Sequence, residues 1–176
     1  MKMAAIAVGL DLALVAGTVL GQVEPENDYP SQPARPAVFR AGVLAAYREL
    51  YDLSIWAGGL GLSVGGEGEH HGGHANVHGL IGKTRAGLPI TEIGLTGTYE
   101  MHCDGARVGV GGGLTYLGIG RATAGPRINS IGFGPLLRLG YDFGERSGAY
   151  VLGQYALQQF RGAIEYGPSL WVGWRW

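Results

Sequence analysis

Cysteine occurs once, at Cys103, so the chain can form no internal disulfide and no cysteine-based zinc cluster. With no base nearby in a recognisable arrangement, that thiol reads as a small apolar side chain on a strand rather than a nucleophile. Lysine is nearly absent too, at Lys2 and Lys83 alone; charged residues are only 15% of the chain and the formal net charge is −1. Such a balance gives no electrostatic footprint for a nucleic-acid partner. Glycine is in excess instead, at 34 of 176 residues, against an ordinary share of about 7%. Each interior helical glycine costs roughly 1 kcal/mol relative to alanine, which disfavours a helical bundle. The glycines keep no three-residue period, which excludes collagen. A hydrophobic share of 46% argues against disorder. The length suits one domain after a removable leader.

That leader is residues 1–21: Met1-Lys2, an apolar stretch from Met3 to Leu20, and Val19-Leu20-Gly21 as the expected cleavage site, leaving Gln22 first. Asp11 in its middle makes it a poor permanent membrane helix. Residues 22–37 carry Pro25, Pro30, Pro33 and Pro36 among Glu24, Glu26, Asn27 and Asp28, the composition of a flexible linker.

From residue 38 onward, apolar residues recur at every second position, with Gly, Asp or Asn clusters between the runs. This is strand periodicity. In the run 128–143, Ile131, Phe133, Pro135, Leu137, Leu139, Tyr141 and Phe143 share one face, opposite Ser130, Gly132, Gly134, Arg138, Gly140 and Asp142. A helix would mix the two sets. Asp104-Gly105 lies between two such runs and fits a two-residue type I′ hairpin, which needs positive φ at both central positions. Gly125-Pro126 marks a longer loop. The expected strands lie near 38–48, 53–68, 74–84, 90–103, 106–120, 128–143, 148–161 and 164–176. In the first, Phe39, Val43, Tyr47 and Leu50 also fit one face of a helix.

Alternation does not say which row faces out, because soluble barrels put the apolar row inside and membrane barrels put it outside. Composition decides. The polar row is largely glycine with isolated Arg and Glu, which suits a narrow interior better than a water-facing surface. The apolar row carries Phe39, Tyr47, Trp56, Tyr99, Tyr116, Tyr141, Phe143, Tyr155, Trp174 and Trp176, several near run ends, as in aromatic girdles at membrane interfaces. Nearly every run reaches the roughly 9 to 11 residues a membrane strand needs. The fold expected over 38–176 is therefore all-β: an eight-stranded antiparallel up-and-down transmembrane β-barrel.

In the last run, Tyr166, Leu170, Val172, Trp174 and Trp176 alternate with Gly167, Ser169, Trp171, Gly173 and Arg175. This pattern resembles the assembly signal of bacterial outer-membrane barrels, carried here by Leu170, Val172, Trp174 and Trp176. As architecture, the chain resembles small eight-stranded outer-membrane proteins of the OmpA-transmembrane-domain or OmpX kind. The resemblance implies integral residence in a Gram-negative outer membrane, contact with its lipid, and a periplasmic linker. It also implies the barrel assembly machinery and periplasmic chaperones as partners. It implies no cofactor and no particular activity, since such folds host adhesins, evasion factors, enzymes and anchors alike.

The polar rows place Arg40, Arg48, Glu92, Glu100, Arg107, Arg138, Glu165 and Arg175 inside the barrel. There, unpaired charges are costly and opposite signs should pair. Residues 67–78 hold His70, His71, His74 and His78, weak candidates for a metal; the expectation is a hydrated Gly-rich turn without fixed geometry. Gly82-Lys83-Thr84 ends like a phosphate-binding loop, but Val77 stands where that motif needs glycine. The function expected is a structural or surface-interaction role, non-enzymatic, with a packed lumen and a surface ligand that the sequence does not identify. A lipid A acyl hydrolase or transferase, a narrow channel and a soluble secreted barrel are the alternatives. Against the enzyme, the His-Xaa-Ser-Asn pattern associated with the deacylases is absent, and strand counting puts the His-rich turn on the periplasmic side.

Overall fold

The computed structural model describes residues 37–50, 53–120, 128–144 and 147–176. The expected leader 1–21, all of the expected linker save Ala37, and the Gly125-Pro126 loop lie outside the described residues. Eight strands follow one another: β1 (Ala37–Leu50), β2 (Leu53–Glu67), β3 (His71–Thr84), β4 (Pro89–Cys103), β5 (Ala106–Ile119), β6 (Ile128–Asp142), β7 (Gly148–Phe160) and β8 (Ala163–Arg175). Each pairs antiparallel with its sequence neighbours, and β8 pairs with β1, closing the barrel. The ring also joins Phe39 to Trp176 by reciprocal backbone hydrogen bonds of 3.1 and 2.9 Å.

The ambiguous first run is a strand. Val38, Arg40, Leu44, Ala46, Arg48 and Leu50 point inward with period two, a spacing that a helix would scatter over its whole circumference. Ala37, grouped with the linker on composition, is the first residue of β1. The hairpin at Asp104-Gly105 has φ of 50° and 85°, the type I′ conformation that this dipeptide favours.

Burial alternates along every strand and gives the two rows their places. Leu60, Leu62, Ile81, Leu95, Ile131, Leu137 and Leu139 are exposed on the outer wall, with Trp56, Tyr99, Phe133, Phe143, Trp174 and Trp176. The inner row holds arginines, carboxylates, small polar residues and glycine alongside buried Leu44, Ile55, Leu80, Ile90, Phe160 and Trp171, so the outside is apolar while the interlocking charged side chains are gathered within.

Inward glycines make the space that large neighbours fill. A Cβ on Gly61 would run into the Trp171 ring, one on Gly94 into the imidazole of His78, and one on Gly132 would stand 2.7 Å from Phe160. An eight-stranded barrel is only wide enough for its own side chains, so bulky residues need cross-strand glycines. Two apolar layers result. Leu44, Ala46, Leu80, Tyr150, Leu152 and Trp171 pack in the middle; Leu50, Ile55, Ile90, Leu117, Ile119 and Phe160 close the end where β1 meets β2.

Candidate functional site: the lumen charge network

At the end where β1 begins and β2 finishes, charged side chains from six strands meet. Glu67 on β2 lies 2.7 Å from Arg40 on β1, 2.8 Å from Arg107 on β5 and 2.6 Å from Arg175 on β8. Asp142 on β6 takes the other side of two of these, with Arg107 Nε donating at 2.7 Å and Arg175 Nη1 at 3.2 Å. Glu100 on β4 binds Arg40 at 3.1 Å and Arg138 on β6 at 3.0 Å. Arg138 also donates to Asn76 at 3.0 Å and to Gln154 at 2.8 Å, and its guanidinium sits 5.4 Å from the Trp171 ring centroid. Low dielectric makes each missing partner expensive, and a guanidinium can serve several acceptors in one plane, so shared arginines are the economical way to fill such a space.

A second, smaller group lies beyond Trp171. Arg48 reaches Glu92 at 3.4 Å and Glu165 at 3.2 Å, and donates to the Pro168 carbonyl at 3.0 Å. His78 Nε2 stands 3.0 Å from Glu92, with its ring edge-on to Trp171 at 5.8 Å. The apolar layer of Leu50, Ile55, Ile90, Leu117, Ile119 and Phe160 stands between this group and the adjacent end of the barrel.

Every residue assigned to the interior from alternation, namely Arg40, Arg48, Glu92, Glu100, Arg107, Arg138, Glu165 and Arg175, points into the barrel, and each is in an ion pair. Glu67 and Asp142 were not among them, yet they are the acids on which Arg107 and Arg175 converge. Asp142 stood in the polar row of its run; Glu67 ends the inward row of β2, one residue before an apparent turn.

The histidines require a correction. Of the four expected in a hydrated turn, only His70 lies in the connection; His71 opens β3, faces outward and stacks on Tyr99 at 5.9 Å. His74 and His78 are buried on the inner row, His74 at 3.1 Å from Glu67. The cause is local: β3 begins before Gly72-Gly73, so His74, Asn76 and His78 alternate with outward Ala75 and Val77. Among the described residues, no group of three His, Cys, Asp or Glu side chains is placed to hold a metal ion. Lys83 and Thr84 end β3, so the sequence that mimics a phosphate loop is strand. Leu170, Val172, Trp174 and Trp176 all face outward. Cys103 is exposed, its Sγ 3.8 Å from Asp104.

No protein-family model and no curated protein sequence matches the chain. Solved structures do resemble it. Neisserial surface protein A superposes with a TM-score of 0.55 at 14% identity, over 82% of this chain and 98% of that one. The N-terminal β-barrel domain of Pseudomonas aeruginosa OprF gives 0.54 at 17%, over 82% and 100%. Ail, the attachment invasion locus protein of Yersinia pestis, gives 0.58 at 8%, over 82% and 100%. At these identities the likeness is one of fold: this chain has the fold of small eight-stranded outer-membrane barrels.

Proposed function

We propose that the protein is an integral outer-membrane barrel of a Gram-negative bacterium with a structural or surface-interaction role, not an enzyme and not an open pore. The observation that carries this reading is the reversal of the usual arrangement: an apolar outer wall around a core of interlocked charges. In water, the exposed Leu60, Ile81, Ile131 and Leu139 would form an apolar patch far larger than soluble monomers tolerate. In a bilayer, the same wall is solvated by acyl chains, and closure of the sheet leaves no backbone edge unpaired. The strands, of 13 to 15 residues, exceed the roughly 9 to 11 needed to cross.

The interior supports the non-enzymatic, closed reading. Its carboxylates are held by arginines rather than turned toward a cleft, and an apolar layer closes one end. On this reading, the surrounding lipid, the barrel assembly machinery and periplasmic chaperones are the partners. The outward row of Leu170, Val172 and Trp174 on β8, continued by Trp176 just after it, is the part that the machinery reads. Fractionation tests the reading: the chain should pellet with outer membranes and migrate differently on a gel before and after heating. A detergent-free soluble monomer recovered from the periplasm overturns it.

A further inference from the structure

Six of the eight ladders run without a gap, and two do not. β6 pairs with β7 from Asp142 to Leu136 and again at Phe133, but not at Gly134 and Pro135. β8 pairs with β1 at Ser169 and again at Tyr166, but not at Pro168 and Gly167. The cause lies in the sequence, because proline has no N–H to donate and takes a hydrogen bond out of any ladder it interrupts. Pro135 and Pro168 stand on the two flanks of one hairpin, β7–β8. Its own ladder is continuous from Gly148 and Arg175 to Phe160 and Ala163.

The two gaps are repaired differently. At Pro168, Arg48 turns Nη1 onto the backbone and donates to the carbonyls of Tyr47 at 3.2 Å, Pro168 at 3.0 Å and Gly167 at 3.4 Å. A side chain thus stands in for the missing amide and ties β8 to β1. At Pro135, the register puts Leu157 opposite, and among the described residues no side chain donates to the Leu157 carbonyl. Gly134 leaves the space beside that carbonyl empty, since a Cβ there would collide with it. Beyond the gap, Phe133 and Gln159 form the last pair of this seam; β6 runs on to Ile128, whereas β7 stops at Phe160. What closes the seam there is side-chain packing, with Phe160 seated over Gly132. Where no water competes, a wall is held by its backbone pairing, and segments with few such bonds open first.

We propose that the end of the β7–β8 hairpin, beyond Pro135 and Pro168, moves as one unit. It pivots on the seam that Arg48 holds to β1 and parts from β6, so the wall opens sideways at this one place. The opening uncovers Gln158, which is buried on the inner face opposite Gly134 and whose Oε1 has no hydrogen-bond partner.

Labelling of single cysteines in the full-length chain, refolded in detergent and carrying C103S throughout, tests the opening. Thr96 lies on the same inward row as Gln158, by way of Gly113 and Gly134, so the two positions share one depth in the wall. A membrane-soluble maleimide should modify Q158C about tenfold faster than T96C. Pro135 faces outward, so P135V restores the amide without crowding the lumen. It should slow the reaction of Q158C roughly fivefold, the effect of one hydrogen bond, and leave T96C unchanged. Equal rates for Q158C and T96C, or a Q158C rate indifferent to P135V, overturns the proposal. Amide exchange of the chain without substitutions gives a second measurement that needs no cysteine. The amides of residues 155–159 in β7 should exchange faster than those of 110–114 in β5, and equal protection of the two overturns the opening.

Discussion

Glu67 on β2 and Arg107 on β5 meet across the lumen, with a guanidinium nitrogen 2.8 Å from a carboxylate oxygen, although β3 and β4 separate them around the wall. Neighbouring strands are already tied by backbone ladders; this contact ties walls that share none. Arg40, Arg175 and His74 converge on the same carboxylate, so this end of the barrel has a polar core, next to the two apolar layers farther along. A bilayer supplies no hydrophobic drive to the interior, since the apolar side chains are solvated on the outside. Packing and shared ion pairs must hold the interior instead.

The first prediction follows from that dependence. Removing one member of a buried ion pair leaves the other uncompensated, which costs about 3 to 5 kcal/mol. Glu100→Ala leaves Arg138 without a carboxylate and takes one partner each from Arg40 and Arg107, while Arg138→Ala takes one arginine from Glu100 and the donor from the Asn76 side-chain oxygen. Either should lower the urea midpoint of the barrel in detergent substantially, whereas Leu139→Ile, on the outer wall, should shift it by less than about 0.5 kcal/mol. Equal midpoints for Arg138→Ala and Leu139→Ile would show that the network contributes nothing to stability.

Replacing Gly61 tests the space-filling half of the interior. A Cβ there collides with Trp171, so Gly61→Ala should cost about 1 to 3 kcal/mol by overpacking. In the background of Trp171→Leu, the same change should cost much less. A double-mutant cycle measures the coupling. Additive effects would mean that the two positions do not compete for one space.

What could be read from the chain alone depended on how local the cause was. The inward placement of Arg138 follows from its neighbours Leu137 and Leu139, and the turn at Asp104-Gly105 from two residues; both are near-neighbour effects. The pairing of Arg138 with Glu100 is not, because β5 lies between their strands and the contact exists only once the barrel has closed. His74 and His78 were obscured for another reason. Gly72-Gly73 has the composition of a turn but serves as the crowded start of β3, where a Cβ on Gly72 would stand 2.9 Å from both Glu67 Cγ and the Gly66 carbonyl. The alternation of His74, Asn76 and His78 with Ala75 and Val77 carried the right answer, and the glycines beside it concealed it.

The hairpin between β4 and β5 gives a third prediction, on backbone alone. Gly105 has φ of 85°, which costs an L-residue roughly 1 to 2 kcal/mol, and a Cβ there would stand 2.7 Å from the Asp142 carbonyl. Gly105→Ala should therefore lower the unfolding midpoint, while Asp104→Asn, which tolerates the left-handed conformation, should leave it nearly unchanged. Equal losses for the two would point to the Asp104 carboxylate rather than to the turn.

The last prediction concerns ion passage. A conducting lumen needs a continuous water path, and two features interrupt one here. Leu50, Ile55, Ile90, Leu117, Ile119 and Phe160 form an apolar layer across one end, and hydrophobic constrictions of this kind exclude water. Towards the other end, Glu67, Glu100 and Asp142 are bound to Arg40, Arg107, Arg138 and Arg175, so an ion entering there meets charges already neutralised by their neighbours. Planar-bilayer recordings of the refolded protein should accordingly show no stable, large-conductance openings. Truncating the apolar layer with Ile55→Gly and Phe160→Gly should admit water at that end, yet still give no steady current, because the ion-paired layer remains. Steady porin-like currents from the wild type would show the lumen to be open and would move the function from a closed barrel to a channel. Currents appearing only in the truncated variant would locate the whole barrier in the apolar layer and remove the network from any part in sealing.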